Sequence, residues 1–507
     1  MHKYNMNLRL LSFFLLFVFS FVPVFSQDET GYRSDSTFII NSFTFSIIGF
    51  TQPFALINKA DLVTGEVITG FNYLEKYIQD KTQLLVNERV LKDNVKIEYT
   101  IDEITDDEKF PVDLTIYVED TWNIVAIPRP QYTSNSGFDL TVKARDYNFL
   151  GTMSPLRLDV GYQRDLEERN FVTVMLDSGI PFRAFGYNWH FNFDHDVQYR
   201  PNMEQHWYYY NVTGISVDIP VFFTTPTFGF EVAFTVNEEN SDFDKPDYGN
   251  FQEGLYISTR PFISWKIPTS LMIGEYGELI YTPGVSTTFN HEISPWILSD
   301  NRRGPFFDLY HSLGFGRINW IGNFQEGFSA KLSNSFKYDF YRYAYHIYPL
   351  SSSIHMAGIG HFTITNFMGF STRLMYRHWF NTFNDKAGDA LRGVYDRDIK
   401  ADFMVSLNLD LPLRALRIRP SEWFGMRRNV FDFDLHISPV LDMAVYQHPG
   451  TQGDFNSDSF LISGGFEIIV FPDFFRSLYL RISAGWDFSD ISKRTPMELF
   501  VGTELHF

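Results

Sequence analysis

The sequence predicts a mainly β protein: an antiparallel transmembrane β-barrel of roughly sixteen strands, preceded by one small α+β domain. Three observations predict it. The segment Met497 to Phe507 alternates by face, with Leu499, Val501, Leu505 and Phe507 on one side, Thr503 among them, and Glu498, Gly502, Glu504 and His506 on the other, Phe500 the exception. Successive strand side chains point to opposite faces, so this segment is a closing strand, apolar toward lipid and polar toward a wet lumen. The chain carries 54 Phe, 28 Tyr and 9 Trp, aromatic surface that barrels use for the lipid band and the interfacial girdles. From Gly137 to Phe507 strand follows strand, and beyond the N-terminus no stretch approaches the ~18 apolar residues of a spanning helix. The mean hydropathy of −0.16 is compatible with this, because alternation cancels in an average.

At the N-terminus Lys3 and Arg9 precede an apolar run from Leu10 to Phe25, and Val24-Phe25-Ser26 offers small residues at a cleavage position. Residues 1–26 therefore read as an export signal peptide rather than an anchor: the run falls short of the ~20 residues a span needs and Pro23 interrupts it.

Residues 37–122 read as an α+β module. Phe43 to Phe50 is a strand rich in β-branched and aromatic residues, and a short helix follows through Pro53 to Lys59. A longer helix from Phe71 to Val90 spaces Phe71, Leu74, Ile78 and Leu85 for one buried face. Two alternating strands, Asn94 to Ile101 and Val112 to Val118, complete it. The order strand-helix-helix-strand-strand resembles a POTRA module, whose sheet edge can take an extended client; a spacer or plug of the same fold fits the pattern as well.

Residues 137–507 read as the barrel. Strands are expected at Asp139–Asn148, Leu156–Arg164, Val172–Ile180, Tyr187–Tyr199, Tyr208–Phe223, Phe228–Val236, Gly254–Ile267, Leu279–His291, Pro305–Trp320 and Phe328–Tyr341. Arg342 to Arg377 holds either one strand or two. Ala401–Leu413, Phe431–Tyr446, Phe460–Phe471, Leu478–Phe488 and Met497–Phe507 close the count.

The most specific local feature is Leu391-Arg392-Gly393-Val394-Tyr395, in the loop before Ala401–Leu413. A loop that folds into the lumen needs an anchor, and arginine's fork suits bidentate pairing with a carboxylate. On Phe431 to Val445 the inward set includes Asp432, Asp434, His436, Ser438 and Asp442, and on Ala401–Leu413 it includes Ser406, Asn408 and Asp410. Here the chain resembles the BamA/TamA/two-partner-secretion transporter superfamily. The loop is similar to its Val-Arg-Gly-Phe/Tyr motif, and Asn408-Leu-Asp-Leu-Pro412 to its Asn-x-Glu-x-Arg-x-Pro stretch. Asp146-Tyr-Asn-Phe-Leu-Gly-Thr152 is similar to its Asn-x-Phe-Gly-Thr-Gly signature, placed at the first hairpin. Pro439-Val-Leu-Asp-Met-Ala444 resembles its Phe-x-Asp-x-Gly strand, which makes Asp442 the expected partner of Arg392. Ala444 stands where the family has glycine, and Asp410 where it has Glu.

The resemblance implies an outer-membrane protein of a diderm bacterium that helps insert, assemble or translocate other outer-membrane proteins. It implies lipid, unfolded barrel clients and accessory assembly proteins as partners. It also implies a lateral seam, with a client strand pairing along Asp139–Asn148, and gives Phe507 a part as the barrel's terminal signal. A family barrel acting as a channel, surface antigen or partner-binding scaffold is the alternative, motivated by the single module. The net charge of −19 argues against a nucleic-acid partner. The absence of cysteine removes thiolate chemistry, and His190 and His195 have opposite strand parity, so they do not form a metal pair with Asp194. No nucleophile elbow, dinucleotide loop or small-molecule site is legible, so no enzyme, cofactor or metal is expected.

Overall fold

The computed structural model describes residues 36–502, apart from 105–107, 134–136, 165–168, 202–205, 222–223, 238–254, 292–303, 345–347, 385–386, 395–398, 427–428, 451–454, 456–458 and 490–496. The expected signal peptide, Tyr395 and Phe507 lie outside the described residues.

The N-terminal module is a four-stranded sheet under two helices. In chain order it comprises β1 (Thr37–Ile48), α1 (Pro53–Ala60), β2 (Val67–Thr69), α2 (Phe71–Asn87), β3 (Lys96–Ile101) and β4 (Lys109–Glu119), with strand order β2-β1-β4-β3. The expected helical face is the buried one: Leu74, Ile78 and Leu85 of α2 pack with Phe38, Ile40, Leu56, Leu114 and Ile116, and Phe71 joins at the margin. Pro53 starts α1 where no intrahelical N–H is needed.

The remaining strands form one closed antiparallel barrel. Among the described residues it has nineteen ladder segments, of which Phe403–Asp410 and Leu413–Ile418 occupy one place between the same two neighbours. Leu411 and Pro412 keep that strand continuous, since Leu411 N donates to Pro439 O and Pro412 O accepts from Gly369 N. The barrel is therefore eighteen-stranded. The fold class is as expected; the count exceeds sixteen for two reasons. Arg342 to Arg377 resolves into two strands, Leu350–Thr365 and Met368–Phe380, after a short helix at Phe340–Ala344. In addition, the barrel begins at Ile124–Thr133 rather than at 137.

That new first strand corrects the seam. The expected free lip, Asp139–Asn148, corresponds to the strand Gly137–Asp146, which is paired on both sides, to Ile124–Thr133 and to Leu156–Arg164. The first and last strands are Ile124–Thr133 and Met497–Gly502, and the last is the eighteenth. The expected first-hairpin signature accordingly joins the second and third strands.

Alternation sorts the wall as expected. Val142, Val160 and Val174 stand opposite one another across three strands and are exposed, as are Phe228, Ile263 and Leu309. A continuous apolar exterior of this kind is what a barrel presents to hydrocarbon. The lumenal face carries ion pairs such as Arg157–Asp177 at 3.0 Å and Arg260–Glu231 at 3.1 Å. His190 faces Asp218 while His195 meets Asn211 on the opposite face.

The module sits on one mouth of the barrel. From α2, Asp80 pairs with Arg317 at 2.8 Å and Asn87 accepts from Trp320 N at 2.9 Å. Arg89, just beyond α2, donates to Arg476 O and to Asn323 Oδ1 at 3.1 Å, with its guanidinium 4.4 Å from the Trp320 ring centroid. Around the rim, Asn148 Nδ2 donates to Thr51 Oγ1 at 2.8 Å, and Gln52 N donates to Gly151 O at 2.9 Å. Gly151 has φ +73°, and a Cβ there would lie 2.1 Å from Phe50 O. The signature turn at 146–152 is thus the footing on which the module rests.

Candidate functional site

The site lies in the lumen, where the loop between Met368–Phe380 and the split strand folds against the inner wall. Asn384 and Ala401 exchange backbone hydrogen bonds at 2.8 Å and Ala387 N donates to Ile399 O at 2.9 Å, which closes the loop's neck. Inside it a short 3₁₀ turn, Ala387–Ala390, delivers the motif.

Leu391 and Val394 are buried and form a small apolar core with Met375, Ile399, Met404, Ala444, Tyr446 and Leu461. A polar lumen offers little else for these side chains to bury against, so their burial holds the loop to this one patch of wall. Ala444 belongs to that patch, directly opposite Ser406 on the neighbouring strand.

Arg392 lies between them and turns toward three carboxylates. Its backbone N–H and Nε both donate to Asp442 Oδ2, at 2.7 and 2.9 Å, and Nη2 donates to Asp442 Oδ1 at 2.6 Å. Nη2 also reaches Asp410 Oδ1 at 2.5 Å, and Nη1 reaches Glu467 Oε1 at 3.3 Å. Arg481 Nη1 donates to the same Glu467 oxygen at 3.1 Å. Asn408 ties the loop's backbone to the wall through Nδ2 to Ala390 O at 3.0 Å, and Arg373 Nε orients it by donating to Asn408 Oδ1 at 3.0 Å.

Burial decides what this network does. Asp442 is 1% exposed, Glu467 2% and Arg392 8%. Charges so placed persist only when paired and hydrogen-bonded, and here Asp410, Asp442 and Glu467 face Arg373, Arg392 and Arg481. The alternation that predicted inward carboxylates thus delivers them to adjacent strands in register: Asn408 opposes Asp442, and Asp442 opposes Ser463 two positions from inward Gly465 and four from Glu467.

Gly393 completes the contact. Its φ is +76°, and a Cβ there would lie 2.6 Å from the carbonyl carbon of Gly485. Gly485 is equally constrained, since its own Cβ would meet Gly393 Cα at 2.7 Å. Two glycines let loop and wall backbones touch.

The structure therefore brings together Leu391, Arg392, Gly393, Val394, Asn408, Asp410 and Asp442. Sequence reasoning missed Glu467, Arg481, Arg373 and Gly485. Continuing the inward parity from Asp442 onto Phe460–Pro472 would have found Glu467, because Ser463, Gly465, Glu467 and Ile469 share one face. The arrangement is a clamp: among the described residues no group of three or more potential metal ligands is assembled.

No protein-family model matches the sequence, and no curated relative does. Among solved structures, CdiB from Acinetobacter baumannii is similar over 92% of this chain and 73% of its own, with 11% identity and a TM-score of 0.43. BamA from Haemophilus ducreyi lacking POTRA domains 1–3 is similar over 92% and 83%, at 13% identity and a TM-score of 0.36. Pseudomonas aeruginosa OccK2 (OpdF), solved with glucuronate, is similar over 81% and 98%, at 10% identity and a TM-score of 0.36.

Proposed function

We propose that this protein is an outer-membrane barrel that receives other polypeptides at its domain-covered mouth and assists their assembly or translocation. The domain would lie in the periplasm, and the chain would reach it through an export signal. The observation that carries this reading is the module's seat and its open edge. The sheet's long strand β1 pairs with β2 only over Thr37–Ile39, and among the described residues no strand pairs with Ser42–Ile48 on that side. Thr44, Ser46 and Ile48 are exposed along this stretch. A bare edge of seven residues is a site where an extended client can add a strand, with main-chain hydrogen bonds supplying affinity. Because Arg89 and Asn87 hold the module on the rim, a client captured there is delivered to the barrel.

The reading is tested by depletion in the native host. Other outer-membrane proteins, or one secreted client, should fall in abundance; an unchanged outer-membrane and secreted profile would sink it. A second reading, a channel, is favoured by the charged lumenal face, where Arg157 and Asp177 are solvent-exposed as a pair. A steady large conductance in planar bilayers, with no client loss on depletion, selects that reading instead.

A further inference from the structure

The lip of the first strand is chemically unlike any other edge in the barrel. In an antiparallel ladder a residue's N–H and C=O point to the same neighbour, and alternate residues serve opposite neighbours. Tyr147 N donates to Asn123 O at 2.9 Å, in line with the pairing of Ile124 to Asp146. Odd-numbered residues of Ile124–Thr133 therefore bond to the second strand, and Ile124, Ala126, Pro128, Pro130 and Tyr132 face the last strand.

Two of those five are prolines and have no N–H. At a third, the carbonyl of Ile124 already accepts the indole N–H of Trp122 at 2.6 Å. The last strand is hydrogen-bonded to this lip in the closed barrel and is held by a side chain as well: Arg129 Nε donates to Val501 O at 2.7 Å, from a residue whose own backbone serves the second strand.

We propose that this seam is a stapled joint that refuses strand addition. The Arg129 guanidinium replaces backbone donors that Pro128 and Pro130 lack, and holds Met497–Gly502 against the lip. A foreign strand brings carbonyls in alternate positions but finds no N–H at two successive places. In hydrocarbon those carbonyls stay unsatisfied, which strongly disfavours the paired state. Prolines on a strand edge blunt unwanted pairing in soluble sheets by the same means. Polypeptides handled by this barrel are therefore routed by way of the module and the mouth, and do not hybridise with the first strand. This rests on the proposed function and deepens it, by excluding pairing with the seam from the route.

The chain has no cysteine, so one introduced thiol reports cleanly. The experiment uses the full-length protein in lipid nanodiscs carrying Ala126→Cys, challenged under mild oxidation with a synthetic peptide of residues 497–507 bearing one central cysteine. Capture should remain at the level of a scrambled peptide. Adding Pro128→Val and Pro130→Val should raise it about tenfold or more, a factor that the two restored hydrogen bonds together supply. Efficient capture by Ala126→Cys alone overturns the proposal.

A second measurement stands if the triple variant does not fold. Arg129→Ala should speed hydrogen exchange at Val501 and Gly502 about tenfold or more, leaving Phe433–Gln447 unchanged; equal rates in both proteins overturn the staple. Neither readout involves a client, so failure of the depletion experiment and failure of this one are separate results.

Discussion

Two stretches of the same wall are closed by opposite means. From Phe403 to Asp487 neighbouring strands are knit by full backbone ladders, and their lumenal faces are then clamped by Arg392, Asp442, Glu467 and Arg481. Where Ile124–Thr133 meets Met497–Gly502, Pro128 and Pro130 bring no N–H to the joint, and the side chain of Arg129 reaches across to one carbonyl. Both use an arginine. In the clamp it neutralises buried carboxylates and its removal strands charge; at the seam it substitutes for a missing N–H and its removal strands only a carbonyl. The wall that carries the loop is thus reinforced by buried charge, whereas the seam adds one side-chain bond to a ladder that lacks two N–H donors.

Four substitutions break or sharpen this contrast, in falling order of effect. Arg392→Ala leaves Asp442 buried without its main partner and should cost about 3–5 kcal/mol, read as loss of heat-modifiable folded barrel at lower urea. Retained stability would remove the clamp from the account. Leu391→Ala tests whether the loop's apolar core matters apart from charge; truncating a fully buried leucine should cost ~2–4 kcal/mol, with the loop becoming open to added protease. Arg89→Ala should loosen the module from the rim by about 1–3 kcal/mol, through hydrogen bonds from a charged donor and the stacking on Trp320. Its signature is proteolytic release of the module from an intact barrel, and an uncleaved chain would mean the seat does not depend on Arg89. At the seam, Trp122→Phe removes only the indole donor to Ile124 O and should change barrel stability by less than about 1 kcal/mol. A loss as large as that of Arg392→Ala would show that the seam, too, is a reinforced joint.

The positions where sequence reading fell short have physical causes. Ile124–Thr133 went unread as a strand because Pro128 and Pro130 argue against a central strand. They are tolerated because both face away from the second strand, whose ladder therefore loses no donor. Arg342–Arg377 stayed ambiguous because its hairpin turns at Asn366-Phe367, with neither glycine nor proline to mark it. Asp442 was legible because parity alone turns it inward. Parity turns Glu467 inward too, but that Glu467 and Arg481 meet at Arg392 needed the register between strands, which no single strand's pattern contains.

By itself the sequence determined the local terms: a period of two along the wall, 3.6 along Phe71–Asn87, and a loop with one arginine between apolar residues. These follow from alternation and burial, which act within a few residues. Only the tertiary structure decided how many strands close the barrel, which strand is the lip, which carboxylates surround Arg392, and that Asn148 and Gly151 are a footing for the module. Those depend on register and closure, set by contacts between residues up to hundreds of positions apart, such as Arg129 and Val501.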